Sequence, residues 1–135
     1  MKKAVILLTL ILVIVSCSLD DTPKSESVSL PVESVIIPSE WPINQLGAIK
    51  ITYRRPTTCH LFNGFNYQIN DEFTRTVSIE AIKLNDNNCI DASAESYEVE
   101  LNFKPTELGI YHFKFWSGID ENGNNTFLEY DVDSQ

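Results

Sequence analysis

Residues 97–115 read YEVELNFKPTELGIYHFKF. Tyr97, Val99, Leu101 and Phe103 alternate with Glu98, Glu100 and Asn102. The turn-rich segment KPTELG follows, and then Tyr111, Phe113 and Phe115 alternate with His112 and Lys114. Successive side chains on a strand point to opposite faces, so a period of two means one buried face and one wet face. An amphipathic helix would instead need apolar residues three and four apart. The stretch therefore predicts two half-buried strands separated by a short turn.

The same texture recurs along the chain. Ile49, Ile51 and Tyr53 alternate with Lys50, Thr52 and Arg54, and Leu128, Tyr130 and Val132 alternate with Glu129 and Asp131. Val77 and Ile79 begin a further run, whose apolar set changes phase between Ala81 and Ile82; a bulge at that point is the simplest account. Segments near 34–38 and 60–69 are shorter candidates. Turn-rich clusters (SEWP, RRPTT, NDNN, DENGNN) separate the runs, and no stretch holds a helical period. The expectation is an all-β antiparallel sandwich of about seven strands over residues 34–135.

Phe103–Phe113 resembles the E–F corner of immunoglobulin-like domains. There a strand ends, a turn with Gly follows, and a Tyr near the start of the next strand bonds back to the corner. The resemblance implies that role for Tyr111. Phe113 stands where antibody-type domains carry their second Cys, and no Trp marks the third strand. The resemblance is thus to the wide Ig-like or fibronectin-like class.

The N-terminus carries an export signal. Met1-Lys2-Lys3 is a short basic start, residues 4–15 are apolar apart from Thr9, and Ser16 precedes Cys17. This run is shorter than the roughly 20 residues of a spanning helix and matches a cleaved secretory signal. Ile14-Val15-Ser16-Cys17 resembles the lipobox of bacterial lipoproteins, with Ile14 in place of the usual Leu. The resemblance implies cleavage after residue 16 and acylation of Cys17, which would anchor the protein in a membrane. Ser18-Leu19-Asp20-Asp21 resembles the stretch that sends Bacteroidetes-type lipoproteins to the outer face of the outer membrane. It implies a cell-surface location, with the periplasmic face as the alternative. Residues 17–33 (CSLDDTPKSESVSLPVE) are rich in Ser, acids and Pro, and are expected to be the lipidated Cys and a disordered tether.

Composition narrows the partners. Ten Lys and Arg face 19 Asp and Glu, a net charge of −9. Cleavage after residue 16 removes Lys2 and Lys3 and no acid, so the mature chain carries 8 − 19 = −11. This argues against nucleic acid and an anionic bilayer surface as partners, since both need a basic footprint. Cys59 and Cys89 are the cysteines left after Cys17, and an exported domain permits their pairing. Two Cys fall short of a structural zinc set, so no metal or cofactor is expected.

Asp120–Asn125 (DENGNN) places oxygen side chains at alternate positions, as calcium loops do. Its Gly is fourth rather than sixth, and a hairpin loop is the expectation. No G-x-S-x-G, H-E-x-x-H or phosphate-cradling Gly loop occurs, and the chain is not expected to be an enzyme. If Tyr111, Phe113 and Phe115 face the core, then His112 and Trp116 face outward. Trp41 and Phe62 lie in turn-rich segments. These four residues are the candidate binding surface, toward a protein or a glycan. The functional expectation is a binding or interaction module at the cell envelope. An accessory subunit of an envelope complex and a small extracytoplasmic enzyme are the alternatives.

Overall fold

Each alternating run becomes a strand in the computed structural model, which describes residues 24–135. Nine strands form among them: β1 (Ser25–Leu30), β2 (Val32–Ile36), β3 (Glu40–Trp41), β4 (Gly47–Arg54), β5 (His60–Ile69), β6 (Thr74–Leu84), β7 (Ser96–Phe103), β8 (Gly109–Ile119) and β9 (Asn125–Ser134). They build two sheets packed face to face. The larger has six strands in the order β1-β6-β8-β9-β3, with β5 also on β6; the smaller is β2-β4-β7.

The inward positions are those the alternation marked. Ile49, Ile51 and Phe103 of the smaller sheet meet Val77, Phe113 and Phe115 of the larger, all buried. Phe103 is the hub of the aromatic packing. It meets Trp41, Tyr111 and Phe113 edge to face, at centroid distances of 5.4, 5.2 and 4.9 Å. The turn between β7 and β8 carries the chain from one sheet to the other. Tyr111 Oη accepts the backbone N–H groups of Thr106 and Glu107 at 3.2 and 3.1 Å, the corner bond that the resemblance implied.

The structure corrects four expectations. First, residues 25–33 are not tether. β1 pairs antiparallel with β6 from Ser25↔Leu84 to Leu30↔Ile79, and Leu30 and Val32 are buried. Its polar side chains find partners: Lys83 Nζ donates to Glu26 Oε1 at 3.0 Å, and Ser27 Oγ donates to Glu80 Oε2 at 3.0 Å. Pro31 marks the switch of the chain into the smaller sheet, where a missing N–H leaves no gap in a ladder. The residues before 24 lie outside the described set.

Second, the strands number nine rather than seven, because β1 and the two-residue β3 join the larger sheet. Third, that sheet is mixed: β6 pairs parallel with β8 and β3 parallel with β9. Fourth, the bulge sits on β5, not β6. Phe62 pairs with Ala81 and Phe65 with Ile79, so Asn63 and Gly64 together oppose Glu80. Gly64 takes φ +104°, which a side chain would resist. β6 itself keeps its phase, with Arg75, Val77, Ile79 and Ala81 all buried.

Cys59 and Cys89 are joined by a disulfide. It ties the start of β5 to the loop after β6. The same segments are laced by Thr58 N–H to Ile90 O at 2.8 Å and Leu84 N–H to Cys59 O at 2.9 Å.

Candidate functional site

The outer face of the six-stranded sheet holds a groove of about 390 Å³, lined by Ser29, Asn66, Gln68, Thr76, Ser78, Trp116, Asn125 and Phe127. Its shape follows from strand order and side-chain size. β6 has β5 along one edge. The other edge is shared: Thr74–Val77 pair with β8, and Ile79–Leu84 pair with β1. β8 must therefore leave β6 where β1 begins, and the groove lies at this fork. Thr76 and Ser78 of β6 give a floor of short side chains. Asn66 and Gln68 of β5 rise on one side, and Trp116 of β8 with Phe127 of β9 on the other.

Trp116 is held in place. Its Nε1–H donates to Asn125 Oδ1 at 3.0 Å, and it sits directly across the ladder from Phe127. The next residues of β8 depart from regular register between Trp116 and Gly118, which sets the indole at a break in the strand. Among the described residues, the side chains of Asn66, Gln68 and Ser78 have no hydrogen-bond partner within the protein. None of the groove's lining residues is charged.

His112 lies further along the same outer face of β8. Its Nδ1 is 2.6 Å from Asp131 Oδ1, and its Nε2 is 3.6 Å from Glu129 Oε1. The hydrogen bond with Asp131, ahead of the attraction to Glu129, raises the imidazole's pKa above its ordinary value of 6.5. Lys114, between His112 and Trp116, reaches over the Phe127 ring at 4.5 Å and lies 4.0 Å from Glu129. The polar stripe beside the groove thus closes on itself.

The four aromatic and histidine candidates are not brought together. Trp116 and His112 share the outer face. Phe62 is 40% exposed but belongs to a cluster at the open edge of the sandwich, 5.4 Å from Phe65 and 6.1 Å from Tyr53. Trp41 is a correction: it is buried, and its Nε1–H donates to Gln45 O at 3.0 Å. Gly47 makes room for it, since a Cβ there would run into the indole. Trp41 is core, not binding surface. Phe127, Asn66 and Gln68 were not singled out from the sequence. The outward phase of Phe127 was implied by Leu128, Tyr130 and Val132, but concavity depends on five strands at once.

The Asp120–Asn125 loop is a hairpin connection. Asp120 Oδ1 accepts the N–H groups of Asn122 and Asn124, at 2.9 and 2.8 Å, and Gly123 takes φ +83°. These bonds, foremost that from Asn124, lower the Asp120 pKa. Among the described residues no three His, Cys, Asp or Glu side chains are grouped to hold a metal ion. Cys17 lies outside the described residues. Comparison with protein-family models, curated proteins and solved structures finds no match for this chain.

Proposed function

We propose that this chain is a lipid-anchored, non-enzymatic binding module of the bacterial cell envelope, and that the outer face of its six-stranded sheet is the binding surface. The anchor is Cys17, at the end of the apolar run 4–15. The observation that carries the binding role is the half-buried Trp116, fixed beside a groove in which Asn66, Gln68 and Ser78 keep their side-chain polar groups unpaired. Part of the indole is buried beside Phe127, and the part left open to the groove is free to pack on a ligand. The surface location, with the domain on the outside of the outer membrane, follows from Ser18–Asp21; the periplasmic face is the other placement.

Cysteine labelling in cells tests this. Asn66→Cys places a thiol in the groove, and Asn102→Cys places one on the exposed face of the smaller sheet. Both variants are expected to fractionate with membranes and to react with an impermeant maleimide on intact cells. Loss of membrane association on Cys17→Ser checks the anchor. Labelling only after the outer membrane is opened would move the domain to the periplasmic side. If Asn102→Cys reacts and Asn66→Cys stays protected in opened cells, the groove face is covered by another protein. The chain would then be an accessory subunit of a complex.

A further inference from the structure

We propose that the groove takes a neutral glycan, with a sugar ring stacked on the Trp116 indole and its hydroxyls bonded by Asn66, Gln68 and Ser78. This rests on the reading of the same face as the binding surface. A sugar ring has two kinds of surface. Its C–H face is apolar and packs on the electron-rich face of an indole. Its rim carries hydroxyls, each of which donates and accepts. Asn and Gln amides offer both functions on one side chain, and Ser adds a hydroxyl that does the same. The groove brings these two surfaces to opposite walls. Two inter-strand spacings separate β5 from β8, about 10 Å, and the floor between them is short Thr76 and Ser78.

Charge narrows the class of glycan. None of the residues lining the groove is charged, and the whole chain carries −9. Lys114, the cation nearest along β8, is already engaged with the Phe127 ring and Glu129. Anionic sugars and phosphates therefore meet repulsion and no guanidinium or ammonium to offset it. A protein partner fits less well. Interface hot spots sit in apolar, fully desolvated centres, whereas six of the eight residues lining this groove carry amides or hydroxyls. The most exposed large apolar residues, among them Ile36, Leu46, Ile69, Ile90 and Leu108, are not in the groove lining.

The groove is open and at the small end of ligand sites, which run about 300–1,000 Å³. Single-site binding is accordingly weak, and an array of anchored copies supplies retention through avidity. The test uses the full-length chain displayed on neutral liposomes. The probes are immobilised neutral oligosaccharides (gluco-, galacto-, manno- and xylo-), with uronic-acid and sulfated polymers as anionic comparators. At least one neutral series is expected to retain the liposomes, and the anionic polymers are not. Trp116→Ala is expected to weaken retention tenfold or more, Trp116→Phe less, and Gln68→Ala two- to tenfold. Asn102→Ala on the other sheet changes nothing.

Retention of no neutral glycan overturns the proposal, as does retention that survives both Trp116→Ala and Gln68→Ala, or a preference for the anionic polymers. Should Trp116→Ala fail to fold, Gln68→Ala and Trp116→Phe decide. The two readings fail separately. An accessible Asn66→Cys with no glycan bound removes the ligand class and leaves the module. A covered Asn66→Cys removes the module itself.

Discussion

Tyr111 works at both ends of its side chain. The ring is buried against Phe103 and Phe73 at 5.2 Å each, and the hydroxyl accepts two backbone N–H groups of the corner. Tyr111→Phe keeps the ring and strands both donors. The expected cost is about 1–3 kcal/mol, seen as a lower urea midpoint with an unchanged slope. A loss under about 0.5 kcal/mol would mean that water takes over both bonds. This residue was legible because its cue is local: a turn, a Gly, and a Tyr two residues on. Trp41 was not. Its burial depends on Gly47 and Phe103, and no periodicity in SEWP reports either. His112 gives a second prediction. Its folded pKa stands above 6.5, chiefly because Asp131 bonds the charged ring. The stabilisation is therefore complete below the unfolded value and is lost as pH rises through the raised folded one. The stability gap between wild type and His112→Gln is expected to be larger at about pH 5.5 than at about pH 8.5. An imidazole titration by NMR with its midpoint at or below 6.5 would contradict this.

β1 shows why a strand can hide in a sequence. SESVSL offers two apolar residues, Val28 and Leu30, and the rest of its outer edge is Ser and Glu. Read alone it is linker. Its strand state comes from β6, whose residues Ile79–Leu84 need a partner on that edge, and from the place for Leu30 between the sheets. The strands with three or four alternating apolar residues were visible from period alone; the one that closes their edge was not. The groove was half legible for the same reason. Alternation sets Trp116 outward, but the fork that hollows the face needs β1, whose sequence reads as tether. Two outcomes follow. Leu30→Ala is expected to cost about 2–4 kcal/mol in chemical denaturation, as for other buried leucines. A chain beginning at Lys24 is expected to unfold in one cooperative step. A chain beginning at Ser34 lacks Leu30 and Val32 and bares the β6 edge, and is expected to aggregate. A cooperative, soluble 34–135 would show that β1 is an accessory to the fold.

The sandwich is fastened differently at its two ends. At one end the corner at 104–111 is closed by Tyr111. At the other, β1 enters beside β6, Asn85 N–H meets Lys24 O at 3.0 Å, and the Cys59–Cys89 bond lies alongside. Lys24, the first described residue, and the disulfide thus share an end, and the groove lies on the sheet face between the two ends. With β1 inside the domain, only six residues, 18–23, lie between Cys17 and Lys24, a reach of at most about 25 Å. The bridged segment runs for 30 residues in sequence. In the chain-entropy view its closure stabilises the fold by about 3–4 kcal/mol. The double variant Cys59→Ala/Cys89→Ala is expected to lose that amount and stay folded, since small domains hold about 5–15 kcal/mol. Its protection from hydrogen exchange should fall first at 57–60 and 84–92, and least in β8 and β9. A loss under about 1 kcal/mol would assign the closure to other contacts. The bridge of Thr57 with Asp91 and the Thr58–Ile90 bonds already join the same two segments, and the bridge would then lock a junction that forms without it.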